Sequence, residues 1–197
     1  MRLAVLFSGG KDSAFALYKA SKLHKISCLI TLDSKNPDSY MFHTPVDKVD
    51  FLAQRLSLPL IKISTLGKKE TELQDLKLAI QKAKRDYKIQ GLVTGAVASI
   101  YQASRIQSIC HELDLYCFNP LWQKDQLELI NELVKEKFKV KIVKVAADGL
   151  DESWIGKIID KTIIQDLIDL NKKNGLNIAG EGGELETEVI DCPLFKK

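Results

Sequence analysis

Along the first 120 residues, short continuous apolar runs alternate with longer stretches of helical period. Five runs rich in branched side chains, at residues 3–7, 26–32, 60–63, 90–93 and 115–118, have the length and composition of strands buried on both faces. Between them, residues 13–22, 46–56, 70–87 and 102–113 return apolar side chains every three or four positions. Val46, Val49, Ala53 and Leu56 mark one face of the second helix, Leu73, Leu76, Ile80 and Ala83 of the third, and Ile106, Ile109 and Leu113 of the fourth. Strands joined by helical crossovers predict an α/β doubly wound parallel sheet, here spanning residues 1–120.

Beyond Pro120 the pattern changes. A helix carrying Leu127, Ile130 and Val134, a strand alternating over residues 140–145 and a helix carrying Ile163, Leu167 and Leu170 predict a smaller α+β unit over residues 121–197. The stretch from Asn177 onward, with Gly180, Gly182 and Gly183 and with Gly175 just before it, reads as a loop lying over the carboxyl edge of the sheet.

Composition narrows the function classes. With 197 residues, 45% hydrophobic and 28% charged, the chain buries a core without help from disulfides or metal. The 29 Lys and Arg against 26 Asp and Glu give a net +3 dispersed along the whole sequence, too thin for a nucleic-acid footprint, so no nucleic-acid partner is expected. The longest charge-free stretch, residues 89–104, contains Gln90, Thr94, Ser99, Gln102 and Ser104, which excludes a membrane span. The apolar run at 3–7 is shorter than the apolar core of an export signal, so a cytoplasmic location is expected. Cys28, Cys110, Cys117 and Cys192 form no CxxC pair and read as reduced, mostly buried thiols.

The chemistry starts where the first strand ends. It runs directly into Ser8, Gly9, Gly10, Lys11, Asp12 and Ser13 and then into a helix. Two glycines allow a tight turn that brings N–H groups near an anion, and the helix start adds unpaired N–H groups and a positive dipole end. The Ser8 and Ser13 hydroxyls can donate to phosphate oxygens, Lys11 adds positive charge, and Asp12 either holds Mg²⁺ or caps the helix. A Walker A loop would need Gly at the position of Val5 and Ser or Thr at that of Asp12, and no G-x-G-x-x-G occurs here. The hexapeptide resembles the PP-loop of the ATP pyrophosphatases, which have the adenine-nucleotide alpha-hydrolase-like (HUP) fold and cleave ATP to AMP and pyrophosphate.

In a doubly wound sheet, ligands sit beyond the carboxyl ends of the strands. Asp33 follows the second strand, where it would either accept from ribose or adenine or cap a turn. Gly95 follows the fourth, where it would either admit the nucleotide or serve a tight turn. Tyr40, Met41, Phe42 and His43 form an unusually apolar loop segment; His43 is either a phosphate ligand or a hydrogen-bonded structural residue. Near the end, Glu181, Glu184 and Glu186 lie among Gly180, Gly182 and Gly183, a pattern suited to Mg²⁺, ammonium or a cationic substrate and equally to a solvated acidic turn.

Taken in order, residues 8–13, Ser39 through His43, Gly95 with residues 99–105, Pro120-Leu121-Trp122, and Gly180 through Thr187 resemble the diphthine-ammonia ligase family over nearly the whole chain. Leu185 stands where an aromatic is usual in that family and Cys192 where a small residue is usual. The resemblance implies amidation of diphthine on translation elongation factor 2 by free ammonium, with ATP and Mg²⁺ as cofactors and AMP and pyrophosphate as products. It implies nucleotide contacts from Ser8, Gly9, Gly10, Lys11, Asp12, Ser13, Asp33 and Gly95, with Mg²⁺ on Asp12. Catalytic roles fall to Lys11, Asp12, Glu184 and Glu186. Substrate contacts fall to Tyr40, His43, Ser99, Tyr101, Arg105, Glu181, Gly182, Gly183 and Thr187. Tyr40, Phe42, Tyr101 and Trp122 are candidate cation–π faces for the trimethylammonium group of diphthine. Two other readings compete, a PP-loop RNA-modifying ligase or thiolase and a non-enzymatic nucleotide sensor; homo-oligomerisation is left open. The scattered cysteines weigh against the thiolase, and the complete loop against the sensor.

Overall fold

The computed structural model describes residues 1–34, 36 and 46–196, without the side chains of 46 and 47. Contacts divide the chain into two units, Met1–Trp122 together with Lys196, and Gln123–Phe195.

In the first unit the strands are β1 (Arg2–Leu6), β2 (Lys25–Ser34), β3 (Leu60–Thr65), β4 (Gly91–Val93) and β5 (Tyr116–Phe118), all parallel and ordered β3-β2-β1-β4-β5. The helices between them are α1 (Lys11–Ser21), α2 (Val46–Leu56), α3 (Glu72–Tyr87) and α4 (Ile100–Glu112). The doubly wound α/β fold expected from the alternation is the one observed. β1 is apolar on both faces because it lies in the middle: Leu3, Ala4 and Val5 are fully buried. A buried Leu or Val side chain contributes roughly 2 kcal/mol. Leu76, Ile80 and Ala83 of α3 and Ile106 and Ile109 of α4 close one face of the sheet, as their spacing predicts.

Because the strand order reverses beside β1, the carboxyl ends of β1 and β4 form the topological switch point of the sheet, where side chains and loops diverge and leave room for a ligand. Boundaries differ from the sequence reading by at most two residues. α1 begins at Lys11 rather than Ser13, since the turn at Gly9 and Gly10 suffices to start it, and Asp33 lies inside β2, paired with Ser64.

In the second unit, α5 (Gln126–Lys135), β6 (Lys139–Val145), α6 (Lys161–Asn174) and β7 (Leu185–Asp191) are joined by loops containing short 3₁₀ turns at Glu152–Trp154 and Glu181–Gly183. β6 and β7 pair antiparallel. This corrects two expectations. The tail is not a loop throughout: residues 185–191 alternate enough to bury Leu185 and Val189, and their acids meet lysines across the ladder, Lys144 with Glu186 at 2.9 Å, Lys141 with Glu188 at 3.1 Å and Lys139 with Asp191 at 3.7 Å. The buried face of α5 is Leu129, Ile130 and Leu133, while Leu127 and Val134 are half-buried. A one-residue error in phase rotates a helix by about 100°.

All four cysteines are free, three of them buried, and burial pushes the Cys28 thiol up to about 12, which keeps it protonated and unreactive. Among the described residues no helix is long and apolar enough to cross a membrane.

Candidate functional site

Phe7 continues β1 by donating its N–H to the carbonyl of Ile30, and the chain then turns through Gly9 at φ +81°, a backbone conformation that a side chain would disfavour. Gly10 caps α1 without a side chain of its own, so no side-chain oxygen from the cap competes for the first-turn N–H groups. The two hydroxyls knit the loop. Ser13 Oγ accepts from the Ser8 N–H at 3.2 Å, donates to the Gly10 carbonyl at 3.1 Å and lies 3.2 Å from Ser8 Oγ, which in turn accepts from the Gly10 N–H. The loop is therefore shaped before any ligand arrives.

Lys11 is only 2% exposed, and its Nζ donates to Asp12 Oδ2 at 2.7 Å. A buried cation needs such a partner. The other oxygen, Asp12 Oδ1, is buried and has no hydrogen-bond partner among the described residues. An orphaned carboxylate oxygen beside an anion loop suits Mg²⁺, which is commonly held by one or two carboxylates plus phosphate oxygens and water. No cluster of three or more His, Cys, Asp or Glu side chains able to hold a metal is found among the described residues. A magnesium ion here would accordingly rest on Asp12 and the nucleotide.

The loop after β4 completes this end of the sheet. Thr94, 2% exposed, donates its hydroxyl to Asn119 Oδ1 at 2.7 Å and accepts from the Ala96 N–H at 3.1 Å. Gly95 lies so close to the start of α1 that a Cβ would stand 2.7 Å from the Ser13 nitrogen and 2.8 Å from the Asp12 carbonyl carbon. Close approach to residues 12 and 13 thus accounts for glycine at this position. Asn119 was missed in the sequence, although it follows β5 just as Thr94 follows β4.

Ser99 caps α4, its hydroxyl accepting from the Gln102 N–H at 3.3 Å. One turn on, Tyr101 and Arg105 join two residues that the sequence does not single out. Arg105 donates from Nε and Nη2 to the Glu70 carboxylate at 3.2 and 3.0 Å, and the Lys69 Nζ and Arg105 Cζ lie 4.7 and 4.9 Å from the centre of the Tyr101 ring. The Arg105 hydrogen bond holds the Glu70 carboxyl below the usual range. The Tyr101 hydroxyl is pushed up, first by burial and then by Glu70. Lys69 and Glu70 lie more than 30 residues from their partners, just before α3, which begins at Glu72 rather than at Glu70 as its periodicity suggested, so no local pattern pairs them. Tyr40, Phe42 and His43 lie outside the described residues.

The remaining predicted residues belong to the second unit. Gly180, at φ +71°, packs so tightly that a Cβ would sit 2.4 Å from that of Leu185, whereas Gly182 and Gly183 have open space around them. Glu184 Oε2 accepts from the Asn177 N–H at 2.6 Å, and Glu186 pairs with Lys144. Glu181 and Thr187 are half-buried, Glu181 in the 3₁₀ turn and Thr187 opposite Ile142 in β7.

Comparison with known proteins covers both units. Residues 1–117 match the family model described as the diphthamide synthase N-terminal domain, and residues 125–197 match that of the diphthamide synthase C-terminal domain. A diphthine–ammonia ligase of Mus musculus is 36% identical over 220 residues, covering all of this chain and 81% of its own length. The Schizosaccharomyces pombe protein of the same name is 37% identical over 216 residues, with all of this chain covering 35% of that longer protein. A crystal structure of a predicted tRNA methyltransferase subunit from Methanocaldococcus jannaschii superposes with a TM-score of 0.52 over 98% of each chain at 21% identity, a likeness of fold.

Proposed function

The chain belongs to the diphthamide synthase family, and on that premise we propose that it is an ATP-dependent ligase that amidates diphthine on translation elongation factor 2 with free ammonium. The observation that carries the chemical part of this reading is the loop of residues 8–13, cross-linked by its own hydroxyls at the switch point of the sheet and holding one buried carboxylate oxygen without a partner among the described residues.

A carboxylate does not react with ammonia directly, because oxide is too poor a leaving group, so the substrate must first be adenylated. The N–H groups of Gly9 and Gly10, the hydroxyls of Ser8 and Ser13 and the ammonium of Lys11 hold the β- and γ-phosphates, which leaves the α-phosphorus facing the attacking carboxylate. As the new P–O bond forms, the bond to pyrophosphate breaks, and the charge that grows on the leaving group lies against Lys11 and the first turn of α1. Asp12 would hold Mg²⁺, which would supply neutralisation of part of that charge. Ammonium gives up a proton to solvent and adds as ammonia to the acyl carbon, the adduct nitrogen loses a second proton to solvent, and AMP departs with the electron pair of the acyl–oxygen bond. Asp33 and Gly95 flank the nucleoside.

Tyr40, His43, Ser99, Tyr101 and Arg105 contact the diphthine side. Glu181, Glu184 and Glu186, with the bend at Gly182 and Gly183 and the hydroxyl of Thr187, provide the negative field that receives ammonium or the trimethylammonium group. The second unit acts in substrate recognition, and the enzyme works in the cytoplasm, where its substrate resides.

The test is an assay of the purified protein with MgATP, ammonium and diphthine-bearing elongation factor, following AMP, pyrophosphate and the mass of the factor while each component is omitted in turn. AMP and amide are expected only in the complete mixture. Pyrophosphate released without a change in the factor would refute the substrate while keeping the loop chemistry, and tight ATP binding without turnover would refute the enzyme.

A further inference from the structure

We propose that Lys69 and Arg105, gathered about the ring of Tyr101, form an oxyanion subsite for one of the reactants, and that the Glu70 carboxylate competes with that reactant for Arg105. The inference deepens the function proposed above and rests on it in one respect, that Tyr101 and Arg105 face the diphthine side.

The geometry of the guanidinium carries the argument. Arg105 presents two donors side by side to a carboxylate: Nη2 and Nε reach Oε1 at 3.0 and 3.2 Å and Nε also reaches Oε2 at 3.4 Å, a skewed form of the fork by which arginine recognises carboxylate or phosphate. Here the acceptor comes from the chain itself, at a residue whose backbone is left-handed, φ +64°, in the loop between β3 and α3. Both side chains are accessible, 42% for Arg105 and 53% for Glu70, so an incoming oxyanion can reach the fork, and exchanging one exposed ion pair for another sacrifices little. A purely structural clasp between α3 and α4 has less need of this one, since Lys77 with Glu112 at 2.6 Å and Lys84 with the Leu113 carbonyl already join them.

The surroundings select the sign of the ligand. Lys69 and Arg105 both lie within 5 Å of the centre of the Tyr101 ring, so its π face serves the chain's own cations, and a quaternary ammonium would meet two positive charges there. The cluster thus suits the anionic end of a reactant, either the substrate carboxylate that is to be adenylated or a phosphate of the nucleotide. Its position agrees: the β3–α3 loop and the first turns of α4 both emerge from the carboxyl edge of the sheet, and α4 starts five residues after Gly95, which packs on residues 12 and 13.

The competition makes a prediction of opposite signs. In the ligase assay, Arg105→Gln removes the fork and is expected to raise the Michaelis constant of the reactant bound there roughly tenfold. Glu70→Gln removes the competing carboxylate and is expected to lower the same constant about threefold. A shift confined to the elongation factor assigns the subsite to the substrate carboxylate, and one confined to ATP assigns it to phosphate. Shifts of both variants in the same direction, or none in a protein that still unfolds cooperatively, would overturn the proposal. Should Arg105→Gln fail to fold, the sign of the Glu70→Gln effect decides alone. Titration of acetate, a carboxylate that the phosphate loop of residues 8–13 does not select, into the three proteins reads the same order without turnover. If the wild type forms no amide, the function proposed above has failed, and this titration still decides the subsite: affinity rising in Glu70→Gln and falling in Arg105→Gln supports it, and equal affinities overturn it.

Discussion

The loop after β1 and the glycine–glutamate segment before β7 both place charged groups among glycines, yet they spend those groups differently. In the first, the hydroxyls of Ser8 and Ser13 satisfy the loop's own backbone, Lys11 is buried against Asp12, and one oxygen of Asp12 is left without a partner among the described residues. In the second, each acid whose partner is known already does structural work: Glu184 accepts from the Asn177 backbone, and Glu186 and Glu188 answer lysines across the ladder. Glycine also has different reasons there, close packing at Gly180 and backbone conformation alone at Gly182 and Gly183. The lesson is that a buried group left unpaired marks chemistry more sharply than a dense cluster of charge.

Substitutions at three positions press on this contrast. The largest effect is expected from Asp12→Asn, which should lower pyrophosphate release about a thousandfold while circular dichroism reports an unchanged fold. Retention of the rate would erase the distinction between the two regions. Glu184→Ala should give a mixed result, a loss of about 1 kcal/mol in a urea titration from the abandoned Asn177 N–H together with a slower amidation step, whereas Glu184→Gln, which keeps an acceptor, should restore stability and leave the rate low. Recovery of both by Gln would reduce Glu184 to a structural residue. The smallest effect belongs to Glu186→Gln. Its pair with Lys144 is exposed, so stability should move by less than about 0.5 kcal/mol, and a raised Michaelis constant for ammonium would be its only sign.

Much of the first unit was legible because its physics is local. Strands buried on both faces must be continuously apolar, and the hexapeptide at 8–13 declares a phosphate loop through its setting between a strand and a helix. β7 was hidden because a strand in a two-stranded ladder buries only every fourth residue here, Leu185 and Val189, and its acids read as a solvated turn until the lysines of β6 are set opposite them. The phase of α5 was lost for a related reason: Leu127, Leu129, Ile130, Leu133 and Val134 cover an arc of about 160°, wider than the stripe that is buried, so periodicity alone did not single it out. The Glu70–Arg105 pair and the fit of Gly95 against Ser13 depend on chain segments dozens of residues apart, which no local pattern encodes.

The central position of β1 has a consequence for synthesis on the ribosome. Leu3 pairs with Gly91 on one side and Ile26 on the other, so β1, made before either neighbour, is enclosed only when β4 has been made. Until β4 has emerged, residues 8–13 hang from a strand with one open edge and lack Gly95 to back them. The phosphate loop, though encoded before β2, matures only when β4 arrives, and the nascent chain must keep an apolar strand from mispairing throughout that interval.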